Sequence, residues 1–167
     1  MKKVIKTHTI PENSIITKGF NDYHYCDSFS VFTQKNDSLD CIATTIFQTP
    51  KWADMLMGMR NKVFSLFGLE KGGFKEHTNI AEHYPIGSKA VYFTVVNRND
   101  NEIITQEIDK HLDFRISIFE NREQDKRRIH LTTLVKYHNT FGRFYFSIIG
   151  IFHRRIVIGL LKRLVKL

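Results

Sequence analysis

His111, Asp113 and Arg115 alternate along a stretch that reads as one β-strand, and the strand after it carries His130 and Thr132. A histidine beside a carboxylate can act as a general base or as half of a metal site. The same alternation puts these groups on the face opposite Phe114 and Ile116, where cross-strand hydrogen bonds and ion pairs use them more simply. Glu76-His77 and Glu82-His83 lie six residues apart in a long connection; a metal there needs a further ligand and a fixed loop. Neither cysteine, Cys26 or Cys41, has a visible activating partner, and Ser, His and Asp form no nucleophile motif. Gly72-Gly73 alone is a flexible turn, not a phosphate loop. We therefore expect no catalytic residue, no metal and no cofactor. An enzyme working inside the fold would need an ionisable group on an apolar face, and only Arg60 and Tyr92 offer themselves.

The elements around these residues follow from hydrophobic period. Asp22 to Thr33 alternates as a strand with Tyr23, Tyr25, Phe29, Val31 and Phe32. Asp37 or Ser38 caps a short helix that Pro50 interrupts, and a second helix starts at Thr49 or Pro50 and stops at Gly68. Trp52, Met55, Leu56, Met59, Val63, Leu66 and Phe67 make its apolar stripe. Strand-type alternation fills Lys89 to Tyr137. Within it, parity pairs Phe114 with Thr133, Ile116 with Leu131 and Ile118 with Ile129, leaving a polar loop around Glu120 to Lys126. In the preceding hairpin Ile108 matches Leu112 and Ile104 matches Ile116, with Asp109-Lys110-His111 as a three-residue connection. A closing helix, Phe152 to Leu167, has a broad apolar sector and gathers Arg155, Lys162, Arg163 and Lys166 opposite. One apolar sheet face needs a cover, and this helix supplies it. The expected fold is α+β: a curved antiparallel sheet wrapped around a long C-terminal helix, with two shorter helices after the first strand. Residues 1–20 are an N-terminal arm or edge segment, and 21–167 a single domain.

Composition narrows the class. The 167 residues are 42% hydrophobic and 25% charged, enough for one substantial core, with 14 Phe that call for a large core or a lined pocket. The net charge of +8 is wholly C-terminal: after Asp125, the last acidic residue, come ten Lys or Arg, and up to and including it 15 basic residues face 17 acidic ones. Such asymmetry attracts anionic lipid or an acidic partner, or is a solvated helix face. No nucleic-acid motif accompanies it, so no nucleic acid is expected. Met1-Lys2-Lys3 is followed by Val4-Ile5 and then polar residues with no continuous apolar core, unlike a secretory signal, and no stretch supplies the roughly 18 apolar residues of a spanning helix. Two scattered cysteines suit a reducing compartment, and a cytoplasmic location is expected.

Several motifs occur in order that resemble a bacterial family known only as domain of unknown function 2867. They are Pro50-Lys51-Trp52, Leu56-Met57, Met59-Arg60-Asn61 and Phe67-Gly68-Leu69, then Asp109-Lys110-His111-Leu112-Asp113-Phe114-Arg115. Thr132-Thr133-Leu134-Val135, His138-Asn139, Gly142-Arg143-Phe144-Tyr145 and Phe152-His153-Arg154 complete the C-terminal block. The likeness runs from about Asp22 to the end. It implies the helix-grip fold of the START-like superfamily, which also holds polyketide cyclases and the birch-pollen allergen group. It implies no activity, because fold does not fix function.

The expected function is non-enzymatic binding or carriage of a hydrophobic small molecule or lipid between sheet and closing helix. Trp52, Met55, Met59, Phe93, Phe114, Ile116, Leu160 and Leu164 would line the cavity, large and adaptable side chains suiting such a role. The alternatives are a cyclase- or hydrolase-like enzyme using the same cavity, or an adaptor whose basic helix touches an anionic membrane or an acidic partner. The sequence sets no oligomeric state.

Overall fold

Alternation decides the sheet, and the sheet has more strands than the alternation alone announces. The computed structural model describes residues 4–48, 50–68 and 80–166. Its elements are β1 (Ile5–Thr7), β2 (Tyr25–Thr33), α1 (Leu39–Phe47), α2 (Pro50–Leu66), β3 (Lys89–Ala90), β4 (Phe93–Asn99), β5 (Glu102–Ile108), β6 (Leu112–Glu123), β7 (Lys126–Tyr137) and α3 (Thr140–Lys166). The strands form one curved antiparallel sheet in the order β1-β2-β7-β6-β5-β4-β3. This is the helix-grip arrangement, α+β, with two helices after β2 and a long helix closing the chain. Among the described residues no peptide bond is cis.

The helix ends sit where their capping chemistry puts them. The Ser38 hydroxyl accepts the Cys41 amide at 3.1 Å and starts α1. Gly68, at a φ of 65°, lies just past α2 in the left-handed region that suits a helix stop. The last helix is longer than its apolar sector suggested. It begins at Thr140, not Phe152, because the Asn139 side chain accepts the Gly142 amide at 2.9 Å and caps it there. The segment Thr140–Val165 is consequently long and apolar enough, by length and composition, to cross a membrane, although 33% of its most apolar window is buried in this fold. The expectation that no segment reaches that length is corrected.

Two hairpins correct the expected register. In β6–β7, Phe114 faces Val135, Ile116 faces Thr133 and Ile118 faces Leu131, a slip of two residues that keeps every side chain on its face. The expected loop at Glu120 to Lys126 is instead ladder up to a two-residue turn, Gln124-Asp125, with both φ positive. Arg128 ion-pairs with Glu123 at 2.7 Å and Arg127 with Glu120, so the polar end of the hairpin is held together by its own charges. In β5–β6 the connection does have three residues, but Ile108 faces Asp113 and Thr105 faces Ile116. This one-residue shift moves Ile104 to the convex face, where a second cover awaits it.

That cover is the N-terminal segment. Ile10, Ile15, Ile16 and Phe20 pack on Ile104 and Leu134, while β1 adds an edge strand to β2. Arg115 fastens the segment, donating to the carbonyls of Ile16 (3.0 Å) and Lys18 (2.6 Å) with its guanidinium over the Phe20 ring. Glu102, fully buried, accepts from the Ser14 hydroxyl (2.6 Å), the Ile15 amide (2.7 Å) and the Ser117 hydroxyl. The concave face carries the main core: Phe29, Val31, Ile103, Ile118 and Ile129 of the sheet against Ile46 and Phe47 of α1 and Val157, Leu161 and Leu164 of α3.

Candidate functional site

The concave parity of β6 and β7 presents Phe114, Ile116, Leu131 and Val135, and the inner arc of α3 presents Ile149, Val157 and Leu160. These surfaces do not close on one another. Between them lies a cavity of about 290 Å³, at the small end of the range for small-molecule sites.

Polar groups meet the cavity in two places, and Glu107 of β5, which accepts from Lys89 at 2.6 Å, also borders it. At its solvent-facing rim, Arg60 of α2 ion-pairs with Asp109 of the β5–β6 loop at 3.4 Å and lies over the Phe64 ring at 4.4 Å. Phe64 in turn meets His111, Phe141 and Tyr145 edge-on, tying α2, the loop and the start of α3 together. Burial pushes the Tyr145 hydroxyl up to about 12, against the opposing pull of Arg60, so it is an uncharged donor at neutral pH.

The second place is where α3 crosses β2 and β7. His153 and Thr133 both border the cavity, with His153 Nε2 3.1 Å from Thr133 Oγ1. Thr133 is the cross-strand partner of Asp27. Asp27 is 1% exposed. Its Oδ2 accepts the Tyr25 hydroxyl at 2.6 Å, whereas its Oδ1 has no hydrogen-bond partner and lies 3.8 Å from His153 Nε2. Burial, then the hydrogen bond and charge of Asp27, raise the Tyr25 hydroxyl far above its ordinary value, with Arg154 opposing. Tyr25 therefore stays a donor. The cluster can hold a hydrogen-bonding group inside an otherwise apolar space.

Of the residues expected to line the cavity, Phe93, Phe114, Ile116 and Leu160 do so. Leu164 is buried in the core beyond it. Met55 is 43% exposed and Met59 half-buried off the wall; the Trp52 side chain lies outside the described residues. The inward side of α2 is turned from part of the expected stripe: Met57 and Arg60 border the cavity and Phe64 is buried in the aromatic cluster, while Val63 is the stripe residue buried beside it. Arg60 does reach the cavity, while Tyr92 sits half-buried in the β3–β4 turn.

The alternating polar groups are accounted for by packing. Asp113 pairs with His138 at 2.8 Å, His111 contacts Asn139 at 3.2 Å, His130 contacts Asn121 at 3.1 Å, and Arg115 holds the N-terminal segment. His83 lies 3.5 Å from Asp40, and Glu76, His77, Gly72 and Gly73 lie outside the described residues. Among the described residues no group of three His, Cys, Asp or Glu could hold a metal ion.

Asp27, Thr133 and His153 were missed by sequence reasoning, although each carried a signal. Asp27 shares the parity of Tyr25, Phe29 and Val31, Thr133 that of Leu131 and Val135, and His153 falls three to four residues from Ile149, Ile156 and Val157. A polar residue in phase with an apolar face is the pattern to look for.

With the geometry in place, three comparisons can be set beside it. A family profile described as "Protein of unknown function (DUF2867)" matches residues 20–160. No curated protein is detectably similar in sequence. Among solved structures, CalU16 from Micromonospora echinospora is similar at 8% identity, covering 98% of this chain and 92% of that one, with a TM-score of 0.33; a superposition that loose adds nothing to the fold read from the strand order.

Proposed function

We propose that this chain, which belongs to the DUF2867 family of proteins of unknown function, is a non-enzymatic binder of a hydrophobic small molecule or lipid held between sheet and α3. The observation that carries the reading is the cavity of about 290 Å³ itself, with mostly apolar walls and few polar groups. Few convergent polar groups in an apolar space are what orient a bound small molecule. The wall residues are rigidly supported: Phe93 meets Phe47 and Phe114 edge-on at 5.0 and 5.6 Å, which keeps the space from collapsing. Native mass spectrometry of gently purified protein, followed by organic extraction, tests this. A stoichiometric adduct that is absent from a folded Ile116→Trp variant is the expected result. An unadducted mass, together with failure to bind any added apolar probe, overturns it.

The outward side of α3 supports a second reading, contact with an anionic membrane. Phe144 (47%) and Ile151 (49%) are half exposed along it, and Arg155 and Lys162 follow on the exposed surface. Apolar and basic groups together suit an anionic bilayer surface. Cosedimentation with phosphatidylserine vesicles that is lost at high salt and in an Arg155→Gln, Lys162→Gln variant is expected; equal binding to neutral vesicles rules it out.

A further inference from the structure

We infer that the cavity takes a neutral, largely apolar alcohol or phenol, and that Asp27, Thr133 and His153 form the subsite for its hydroxyl group. The inference rests on the cavity reading above and names the chemistry of the ligand. Asp27 projects from the concave face of β2, beside Thr133 across the strand pair and near His153 of α3. It is 1% exposed. One oxygen is committed to the Tyr25 hydroxyl at 2.6 Å. The other, Oδ1, receives no donor, and the nearest ring nitrogen, His153 Nε2 at 3.8 Å, is beyond hydrogen-bond reach. Folded proteins rarely leave a buried carboxylate oxygen unmet, because the lost hydration is not replaced. Thr133 and His153 border the cavity, so a polar group docked against them arrives next to that oxygen.

Three chemistries can be compared there. A hydrocarbon leaves Oδ1 as it is. A carboxylate would be set against the charge of Asp27, with two like charges in a water-poor space. A hydroxyl fits both needs: it donates one hydrogen bond towards the carboxylate and accepts another from the Thr133 hydroxyl. His153, whose ring nitrogen is donor or acceptor according to tautomer, accommodates either orientation.

The test compares naphthalene, 2-naphthol and 2-naphthoate binding to the full chain by ligand-observed NMR, in the wild type, Thr133→Val and Asp27→Asn. In the wild type 2-naphthol should bind about tenfold more tightly than naphthalene, one net hydrogen bond's worth, and 2-naphthoate most weakly. In both variants the ratio of 2-naphthol to naphthalene affinity should fall to near parity, a readout that a purely structural role of Asp27 would not move. Thr133→Val is close to isosteric and covers the case in which Asp27→Asn fails to fold. Equal affinities for naphthol and naphthalene, tightest binding of naphthoate, or a preference that survives in both variants overturns this inference and leaves the cavity reading standing. No binding of any of the three by the wild type overturns both.

Discussion

Asp40 sits in the first turn of α1, buried, with three groups converging on it. Arg98 donates to both oxygens at 2.9 and 3.1 Å, the Tyr84 amide donates at 2.8 Å, and His83 lies 3.5 Å away. Burial alone would raise this carboxyl, but the Arg98 and Tyr84 hydrogen bonds and the charges of Arg98 and His83 outweigh it and hold it below its ordinary value. A depressed folded value means that stability is fully present above the unfolded value of about 3.9 and is lost as pH falls through the folded one. Asp40→Asn should therefore cost about 3 kcal/mol at neutral pH, the scale of breaking one partner from a buried pair, and the cost should shrink below pH of about 4. Urea unfolding at the two pH values checks this; an unchanged penalty at low pH refutes it. His130 is lowered too, but by burial of its ring and not by partners that favour the charged form. Burial, then Arg128, lower its ring to about 4 against the pull of Glu123, so unfolding takes up a proton between that value and about 6.5. Its contribution is full above the unfolded value and fades as pH falls towards the folded one. In NMR the His130 ring protons should hold still through the range where ordinary histidines titrate and move only near pH 4. An ordinary midpoint would show the ring to be solvated.

At the scale of elements, a glycine marks a close approach of two backbones. A Cβ on Gly142 would stand 2.0 Å from the His111 carbonyl oxygen, so the first turn of α3 can lie on the β5–β6 loop only without a side chain there. Backbone cannot give way as a side-chain tip can, and Gly142→Ala should cost about 2 kcal/mol or more. Gly159, exposed on the same helix, has nothing within 4 Å of its would-be Cβ; Gly159→Ala should gain roughly 0.5–1 kcal/mol. Thermal melts of the two variants moving in opposite directions check the placement of α3, and a tolerated Gly142→Ala would move its N-terminus off the loop. The elements themselves were legible because their period was: β2, both short helices, Pro50 and Gly68 fall where capping and alternation put them. What failed was pairing. Ile104 and Ile108 were assigned to the concave face on the assumption of a single apolar face, and a second covered face removes that assumption. The long β6–β7 hairpin was hidden because its distal ladder pairs Asn121 with Arg128 and Glu123 with Lys126, polar residues that alternation reads as loop. The start of α3 was hidden by Gly142 and Gly150 within it, which lower helix propensity but are required or tolerated by packing. Phe93, Phe114 and Ile116 reach the cavity because the strand parity was right, and Leu160 because it lies on the inner arc of α3, whereas Met55 and Met59 miss it because a helix stripe fixes a face only up to the neighbour that claims it.

At the scale of the whole molecule, the sheet is closed on both sides by different means: helices and apolar packing on the concave face, a polar clasp on the convex one. The clasp is Arg115 and Glu102, each buried and each spent on the backbone or side chains of residues 14–18. Carboxylate and guanidinium lie on adjacent strands, yet neither pairs with the other; both hold the same segment. Such an arrangement makes the N-terminal cover depend on a few directional bonds, because its apolar contact is small: Ile16 and Phe20 are its only fully seated hydrophobic side chains in that cluster. The two thiols report on it independently. Cys41 is exposed on α1, whereas Cys26 is half-buried against the convex cluster, and burial, then the charge of Asp27, raise its thiol above the ordinary value. Both effects slow attack on a disulfide reagent, since the thiolate is the reacting form. The native protein should therefore show one fast and one slow thiol, assigned by Cys41→Ser and Cys26→Ser variants. Glu102→Ala or Arg115→Ala should speed the slow one without changing the fast one, because the cover over Cys26 lifts while α1 stays packed on the concave side. If Cys26 reacts at the same rate in the native chain and in both variants, the N-terminal segment does not protect the convex face, and the sheet must stand on its concave core alone.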